Sequence, residues 1–275
     1  MVDKEVKKGI TIFGVSIWKI FLYFIIYSIL GFILETIFGL ITKGVIESRK
    51  SFLIGPFCGI YGLGAVIMIL ALKDVKKNNF SLFFGGFIVG SIVEYVVSWF
   101  GEVFLNVIWW DYSDIPFNIN GRVCIEFSII WGLLAIFLMT YCNPKVDNLI
   151  NWLYNKFSTK YLKPIISCII IFLFIDACVT GFALKMFFTR LVNDYKLDLA
   201  NTDQYITEYT NFYNNPKVKE FVNKYFSNEV ILKTFPNLKV TKQNGEVLYV
   251  CDIFPDIQEE YVRIFTPRIL KNSHE

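Results

Sequence analysis

The feature that most constrains this chain is a series of apolar runs, each long enough to cross a bilayer, which takes about 20 helical residues. We predict about five such spans, at 17–41, 52–72, 80–105, 123–141 and 164–188. The 275 residues are 55% hydrophobic and 19% charged, with a mean hydropathy of +0.49, whereas soluble domains carry about 25% charged residues. The predicted fold is therefore an all-α multi-pass membrane bundle.

The composition changes after the last apolar run. From Leu191 onward Asp, Asn, Lys and Tyr are frequent, and no later run is long enough to span a membrane. We therefore predict a transmembrane domain at 1–190 and a small C-terminal extramembrane α+β domain at 191–275. In the latter, the pattern at 201–226 predicts helix, and 240–250 is typical of a hairpin around Asn244-Gly245, a type I′ turn signal.

Lysine and arginine residues in the short connections predict the orientation, because cytoplasmic loops carry an excess of them. The side of the amino end has the larger set: Lys4, Lys7, Lys8, Lys19, Lys73, Lys76, Lys77, Lys145, Lys156, Lys160 and Lys163. The opposite side has the smaller set: Lys43, Arg49, Lys50, Arg122, Lys185 and Arg190. We expect a plasma-membrane protein with a cytoplasmic amino end, and with the loop 106–122 and the C-terminal tail outside.

The connector at 143–163 mixes apolar and aromatic residues with lysines. Its apolar members are Leu149, Ile150, Trp152, Leu153, Tyr154 and Phe157. This composition favours a helix that lies in the inner membrane interface with its basic residues toward the lipid headgroups. A plain basic loop is the alternative.

Several kinds of chemistry are disfavoured by the residue types present. The one histidine, His274, argues against histidine-based acid–base catalysis and histidine metal ligands. The six cysteines form no CxxC pair, no GxxxxGK[ST] phosphate loop occurs, and the net charge of +3 is too small to indicate nucleic-acid binding. We expect no cofactor and no metal.

Cys58 and Cys124 are expected either to form a disulfide or to be two buried thiols.

A polar and aromatic loop at 109–122 separates the third and fourth apolar runs. Tryptophan and tyrosine suit the membrane–water interface. Asp, Pro, Asn and Gly form turns, so a compact fixed loop is predicted. Two acids, Asp111 and Asp114, and one arginine, Arg122, are more charged side chains than a plain connector requires. The candidate binding residues here are Trp109, Trp110, Asp111, Tyr112, Asp114, Asn118, Asn120 and Arg122.

Acidic residues inside the predicted spans are a second functional signal, because each charge costs about 2.5–3.5 kcal/mol to insert. These acids are Glu35, Glu94, Glu102, Glu126 and Asp176. In the third span, small residues and acids share one helix face, since they recur every four positions: Gly86, Gly90, Glu94, Ser98 and Glu102. With the predicted topology, a polar substrate-binding cavity opens to the outer face beneath the loop. Its expected lining residues in the spans and their ends are Glu35, Arg49, Glu94 and Glu126.

Two further interpretations concern the role of the acids and the shape of the segment at 48–62. Glu–Arg pairs can simply lock helices together, which is the alternative to a cavity. At 48–62, the Gly55-Pro56 pair and the repeated glycines predict a broken or re-entrant helix start. Irregular backbone of that kind is tolerated at membrane depth where it is buried in protein or lines a cavity.

Several motifs in this part of the chain resemble one known family. They are Gly31-Phe32-Ile33-Leu34-Glu35-Thr36, Gly55-Pro56-Phe57-Cys58-Gly59-Ile60-Tyr61-Gly62, Glu94-Tyr95-Val96-Val97-Ser98-Trp99, Trp109-Trp110-Asp111-Tyr112-Ser113, Pro116-Phe117-Asn118-Ile119-Asn120-Gly121-Arg122-Val123-Cys124, Phe127-Ser128 and Trp131-Gly132. Together they resemble the putative ABC-transporter type IV, or CmpB-like, membrane proteins of bacteria, over about 17–141. The resemblance implies a transporter permease that is energised by a separate nucleotide-binding ATPase subunit.

Three functions remain open from the sequence. The first is a permease whose outer cavity receives a small polar or lipid-derived ligand. The second is a membrane-embedded enzyme that acts on a lipid or lipid-linked substrate at the outer leaflet, with paired carboxylates as acid and base. The third is a non-catalytic scaffold or sensor whose tail meets a partner. The expected partners are the lipid bilayer, an ATPase subunit and, as an open alternative, a second copy of the chain.

Overall fold

The computed structural model describes residues 10–75, 78–105, 108, 110–200, 202–257 and 261–265. The helices within them are α1 (Ile17–Lys43), α2 (Gly59–Leu72), α3 (Asn79–Phe100), α4 (Ile125–Phe137), α5 (Asn143–Lys156), α6 (Thr159–Asn193), α7 (Thr202–Glu208), α8 (Pro216–Tyr225) and α9 (Asn228–Thr234). The short strands are β1 (Thr11–Ile12), β2 (Val15–Ser16), β3 (Val45–Glu47), β4 (Asn118–Ile119), β5 (Val123–Cys124), β6 (Lys239–Thr241), β7 (Val247–Tyr249) and β8 (Tyr261–Arg263). They pair antiparallel as β1-β2, β3-β8, β4-β5 and β6-β7.

The chain divides into two compact units, and each is described by itself below. The first unit is drawn from Met1–Phe32, Pro56–Val97 and Asp111–Ile175. The second is drawn from Ile33–Gly55, Ser98–Trp110 and Asp176–Glu275. The domain boundary predicted between 190 and 191 stays a prediction.

Four helical segments are long and apolar enough to cross a membrane: Ile17–Lys43, Asn79–Phe104, Ile125–Lys156 and Thr159–Asn193. They coincide with the first, third, fourth and fifth predicted spans, so the helical, apolar architecture is confirmed. Large apolar side chains on their surfaces are exposed, for example Ile88 at 56% and Phe174 at 69%. Such side chains are suited to lipid contact. The predicted number of five spans is not confirmed.

The second predicted span, 52–72, is helical only in its second part. Helix α2 begins at Gly59 and has 14 residues, fewer than the about 20 that cross a bilayer. Gly55 has a φ of 78°, and Pro56 has no amide hydrogen to donate, so a helix through this pair is unfavourable. The predicted break in the helix start is thereby confirmed.

Helix α4 continues into α5 through a π-helical turn, Leu138–Cys142. The connector after the fourth apolar run is therefore helical, as one of the two interpretations predicted. Its buried face consists of Val146, Ile150 and Tyr154. Asp147 on the same helix pairs with Lys19 at 2.7 Å and accepts a hydrogen bond from the Tyr23 hydroxyl, which attaches α5 to α1. Its location at the inner membrane interface stays a prediction.

Glycines bring α3 close to α4 within the first unit. A Cβ atom built at Gly86 would lie 2.1 Å from the Cβ of Ala135, and one built at Gly90 would lie 2.5 Å from the Cβ of Trp131. Real Cβ atoms do not approach so closely, and therefore only glycine fits at this helix contact. The glycine face predicted for the third span is confirmed as a packing face.

The core of the second unit combines the end of α6 with residues of the C-terminal part. Its fully buried members include Ala183, Phe187, Phe188, Leu191, Tyr205, Ile231 and Val250. Strand β8 pairs with β3, directly after α1, through Val45↔Arg263, Ile46↔Val262 and Glu47↔Tyr261. These contacts join the C-terminal residues to the connector after the first apolar helix.

The C-terminal elements follow the predicted pattern with one difference. The helical region consists of α7, a π-helical turn (Tyr209–Tyr213) and α8, while Asn201, where the pattern begins, lies outside the described residues. The hairpin around Asn244-Gly245 is confirmed by the pairing of β6 with β7. The predicted type I′ turn is wrong, because Gly245 has a φ of 84° and Asn244 does not share a positive φ. The Gly245 amide instead donates to the Lys242 carbonyl, so a turn at 242–245 ends in a left-handed glycine.

Candidate functional site

The loop between α3 and α4 is held in shape by its own polar groups. Oδ1 of Asp111 accepts hydrogen bonds from the Ser113 amide at 3.0 Å and from the Ser113 hydroxyl at 2.6 Å. A short carboxylate commonly bonds the backbone two residues further on in this way. The Tyr112 amide donates to the Gly121 carbonyl at 2.8 Å, which joins the two ends of the loop. The loop at 110–122 is therefore compact, as predicted.

Asn118 fixes the second half of the loop. Its side-chain amide donates to the carbonyls of Ile115 at 2.8 Å and Ser113 at 3.2 Å, and its Oδ1 accepts from the Gly121 amide at 2.9 Å. Beside it, β4 pairs with β5 immediately before α4 begins. The Asn118 side chain thus forms hydrogen bonds with three backbone groups for which the short hairpin provides no partner.

Only glycine fits at position 121. Gly121 has a φ of 67°, which L-residues rarely adopt. In addition, a Cβ atom there would lie 2.5 Å from Oγ of Ser113 and 2.8 Å from Oδ1 of Asp111. The close approach of this backbone to the Asp111–Ser113 turn closes the loop on itself.

Tyr112 connects the loop to both neighbouring helices. Its hydroxyl donates to Oε1 of Glu94 on α3 at 3.0 Å. Its ring stacks on that of Phe127 on α4, with centroids 4.5 Å apart and planes at 13°. Stacked aromatic pairs contribute about 0.5–1.5 kcal/mol beyond their buried area. Tyr112 is thus the side chain that places the loop over Glu94.

Tyr95 makes a second connection next to the first. Its hydroxyl accepts a hydrogen bond from the side-chain amide of Asn120 at 2.9 Å. The guanidinium of Arg122 lies over the same ring, 5.5 Å from its centroid, within the range of a cation–π contact. Two neighbouring residues of α3, Glu94 and Tyr95, therefore bind three side chains of the loop.

Glu94 is the buried acid of this site, with 5% of its surface exposed. Among the residues that the structure describes, its Oε2 atom has no hydrogen-bond partner within normal geometry, and neither has the indole nitrogen of Trp131. The Trp131 indole faces the same carboxylate, however. One turn before Glu94, the hydroxyls of Ser91 and Ser128 lie 2.7 Å apart. A carboxylate oxygen accepts hydrogen bonds only, so the indole N–H of Trp131 is a donor that the described residues direct toward this carboxylate.

The second unit contains a different acid–base cluster. Arg49 lies 2.5 Å from Oε1 of Glu47 and 3.8 Å from Oε2 of Glu35 on α1. The Glu47 carboxylate also accepts from the side chain of Asn237 at 3.1 Å. A Cβ atom at Gly39 would come within 3.0 Å of the Arg49 guanidinium. Arg49 therefore lies flat against α1 and joins it to the segment that follows.

Asp176 on α6 holds the irregular backbone that precedes α2. Its Oδ2 accepts from the Ile54 amide at 3.2 Å, and Oγ1 of Thr180, one turn later, accepts from the Leu53 amide at 3.0 Å. Asp176 is 2% exposed. Two backbone groups that no helix satisfies are thereby paired inside the second unit, as buried backbone requires.

The predicted site residues fall into the two units. Glu94, Asp111, Tyr112, Asn118, Asn120 and Arg122 belong to the first unit, where direct contacts join them, and Asp114 and Glu126 are exposed in that unit. Glu35 and Arg49 belong to the second unit, as does the half-buried Trp110. Trp109 lies outside the described residues. The predicted single cavity that contains all of them stays a prediction.

Cys58 and Cys124 are both buried thiols, the second of the two expected alternatives.

Several residues of the first-unit site were not predicted. They are Ser91, Tyr95, Phe127, Ser128 and Trp131. Tyr95 directly follows Glu94, and Phe127-Ser128 and Trp131 lie within the motifs that carry the family resemblance. Their place in those motifs is the signal by which they could have been found, since apolar and aromatic residues in a span otherwise predict lipid or core contact.

The fold and the site together define a helical membrane protein that keeps acidic side chains inside its apolar helices. The chain belongs to the family described as Putative ABC-transporter type IV, whose model matches residues 22–181, more than half of the 275 residues. The matched region contains both the Glu94 site and the Arg49 cluster, and it supports a membrane protein of transporter type. Comparisons with curated proteins and with solved structures returned no match.

Proposed function

We propose that this chain is the membrane-spanning permease subunit of a transporter, and that its small polar ligand binds Glu94 beneath the loop at 110–122. The observation that carries the proposal is the buried carboxylate of Glu94: among the described residues it forms no ion pair, its Oε2 atom has no hydrogen bond of normal geometry, and the indole of Trp131 is the donor that faces it. An acid inside a transmembrane helix is costly, and such acids mark substrate and ion pathways. Membership of the transporter family supports the same conclusion.

A purely structural role fits the other acid cluster better than it fits Glu94. Glu35 and Glu47 both face Arg49, and Lys43 lies 3.3 Å from Glu47, so two acids and two cations compensate each other and lock α1 to the following segment. For Glu94, the described residues provide a tyrosine hydroxyl and an indole, and no ion pair. An acid that only locked helices would be expected to have its cation.

The proposed ligand carries a hydrogen-bond donor, such as an ammonium or a hydroxyl group. A carboxylate oxygen accepts such a donor directly. The rings of Tyr112 and Trp131 lie beside the carboxylate and provide flat surfaces for an ammonium group or for an apolar part of the ligand. The loop at 110–122 is proposed to be the outer lid of this site, with the amino end of the chain in the cytoplasm.

The energy source is proposed to be a separate ATPase subunit. The test uses the full-length tagged chain, purified in detergent from its native membranes together with its partners. We expect an ATP-hydrolysing subunit to co-purify with the wild type and with Glu94→Gln. We expect ATP hydrolysis by the complex to fall several-fold in Glu94→Gln, because the ligand site no longer carries its charge. The matched control is Glu220→Gln, an exposed acid on α8 outside the candidate site, which should leave hydrolysis unchanged.

Two results would contradict the proposal. Purification without any ATP-hydrolysing partner would remove the transporter assignment. An ATPase whose rate is the same in the wild type and in Glu94→Gln would remove Glu94 from the site. The proposed orientation is tested independently by labelling Ser113→Cys in intact cells with an impermeant thiol reagent, since Ser113 is exposed; protection from that reagent would reverse the topology.

A further inference from the structure

Helix α8 carries basic and aromatic residues together on one face. Lys217, Phe221, Lys224 and Tyr225 have the spacing i, i+4, i+7 and i+8, so they share one side of the helix. Phe221 is 50% and Tyr225 51% exposed, and both lysines are exposed as well. The opposite side is buried through Val222. Glu220 is exposed on the same side, three residues after Lys217 and four before Lys224, so this face carries two lysines and one glutamate, a net charge of +1.

The buried side of α8 packs on the end of α6. Val222 forms a cluster with Met186 and Tyr213, and Phe182 packs against this cluster. The ring of Phe182 is in edge contact with Phe212 at 6.1 Å and with Phe226 at 6.0 Å. The aromatic residues of the α7–α8 region therefore cover α6 around Phe182.

The face of α6 that they cover continues an exposed apolar face. Phe174, Cys178 and Phe182 follow one another at four-residue spacing, on one side of the helix. Phe174 and Cys178 are exposed, and they belong to a segment long and apolar enough to cross a membrane. Phe182 is the next position along this side, and α8 begins to cover the helix there. The part of α6 that α8 covers thus adjoins a side of the same helix that is suited to lipid.

A charged pair marks the end of the apolar part of α6. Lys185 pairs with Glu208 at 2.7 Å, and it lies only three residues, about 5 Å along the helix axis, beyond Phe182. Charged side chains near the end of a span lie at the membrane–water interface. Helix α8 packs against α6 close to this charged pair, through Val222, Met186 and Phe182, and aromatic rings and lysines are favourable at a membrane interface.

We propose that the face of α8 formed by Lys217, Phe221, Lys224 and Tyr225 binds the lipid headgroup region of the leaflet in which α6 ends. The two aromatic rings enter the interface beside the acyl chains, and the two lysines contact anionic headgroups. The C-terminal part of the chain is then a membrane-associated domain that lies on the bilayer surface. This inference is independent of the function proposed for Glu94.

The test measures the depth of a spin label in the full-length protein in liposomes of phosphatidylcholine and phosphatidylglycerol. One label is placed at Phe221→Cys and a control label at Gln243→Cys, an exposed position in the hairpin turn, both in a background without the six native cysteines. We expect the ratio of oxygen to nickel-chelate collision rates to be several-fold higher at 221 than at 243. Replacing Lys217 and Lys224 by glutamate should lower the ratio at 221.

Each other outcome would overturn the proposal. Equal ratios at 221 and 243 would mean that this face of α8 is in water. An immobilised label at 221 that neither reagent reaches would mean that another protein or a second copy of the chain covers the face. If the cysteine-free background does not fold, Phe221→Trp and Gln243→Trp in the otherwise unchanged chain replace the labels. Brominated lipid should then quench the added fluorescence at 221 and leave that at 243 unquenched.

Discussion

Tyr112 donates a 3.0 Å hydrogen bond to the carboxylate of Glu94, a residue eighteen positions earlier in the chain and 5% exposed. The same tyrosine ring stacks on Phe127 of the next helix. One side chain of the loop thus reaches a buried acid of α3 and an aromatic ring of α4. This contact determines where the loop lies over the candidate site, and several expectations depend on it.

The first expectation concerns Tyr112→Phe. The phenylalanine keeps the ring and its stacking but removes the hydroxyl, so Oε1 of Glu94 loses its donor. A buried polar group without its partner costs about 1–3 kcal/mol. We expect the variant to have a lower thermal unfolding temperature in detergent than the wild type, by several degrees.

The control for this change is Tyr161→Phe. Tyr161 is 65% exposed, so the loss of its hydroxyl should leave the unfolding temperature unchanged. Equal unfolding temperatures for Tyr112→Phe and the wild type would show that the hydroxyl of Tyr112 does not hold Glu94.

The second expectation concerns Gly121→Ala. The substitution places a Cβ atom 2.5 Å from Oγ of Ser113 and imposes a left-handed φ on alanine, so the Asp111–Ser113 turn must shift. We expect a Ser113→Cys thiol to be labelled faster in this variant, because its hydrogen-bonded turn is disrupted. Gly64→Ala is the control, since a Cβ atom at Gly64 meets no atom within 4 Å. An unchanged labelling rate in Gly121→Ala would mean that the loop tolerates the added methyl group.

Much of this architecture could be predicted from the sequence, because long apolar runs and the four-residue spacing of glycines are local signals. The α3 face at Gly86 and Gly90 is an example, since spacing alone places both residues on one side of a helix. The break before α2 is also local in origin, as Gly55 and Pro56 interrupt a run that hydropathy alone presents as continuous.

The partners of the polar residues could not be predicted in the same way. Ile54 and Asp176 are 122 positions apart, and the pairing of their amide and carboxylate depends on the tertiary fold. The same holds for Glu47 and Asn237, which are 190 positions apart. The sequence identified the acids as costly and therefore informative, but a lone acid does not reveal whether an arginine, a tyrosine or a backbone amide will face it.

The third expectation concerns the pair of Arg49 and Glu47. Their side chains are 15% and 6% exposed and lie 2.5 Å apart. Removal of one partner from a mostly buried pair costs about 3–5 kcal/mol when the other charge is left without a counter-ion. Lys43 stays 3.3 Å from Glu47, so the cost is expected at the lower end of that range. We expect Arg49→Ala to be strongly destabilising and the double variant with Glu47→Ala to be less destabilised than the sum of the single variants, as measured by unfolding in detergent.

The same cycle on Lys242 and Glu246 serves as the comparison. That pair lies 2.9 Å apart with side chains 30% and 50% exposed, and exposed pairs contribute about 0–1 kcal/mol. If the coupling between Arg49 and Glu47 is no larger than the coupling between Lys242 and Glu246, then Arg49 does not lock α1 to the following segment.

The last expectation separates two roles of Asp176, that of a hydrogen-bond acceptor and that of a charge. Asp176→Leu removes the acceptor of the Ile54 amide, and an unpaired buried amide costs about 1–3 kcal/mol. Asp176→Asn keeps an oxygen in the same place and removes the charge.

If the residue serves to hold the irregular backbone, Asp176→Leu should raise the labelling rate of Ile54→Cys and lower the unfolding temperature, while Asp176→Asn should resemble the wild type. Thr180→Val, which removes the acceptor of the Leu53 amide one turn away, should act in the same direction as Asp176→Leu. Equal losses in Asp176→Asn and Asp176→Leu would instead mean that the charge itself is required.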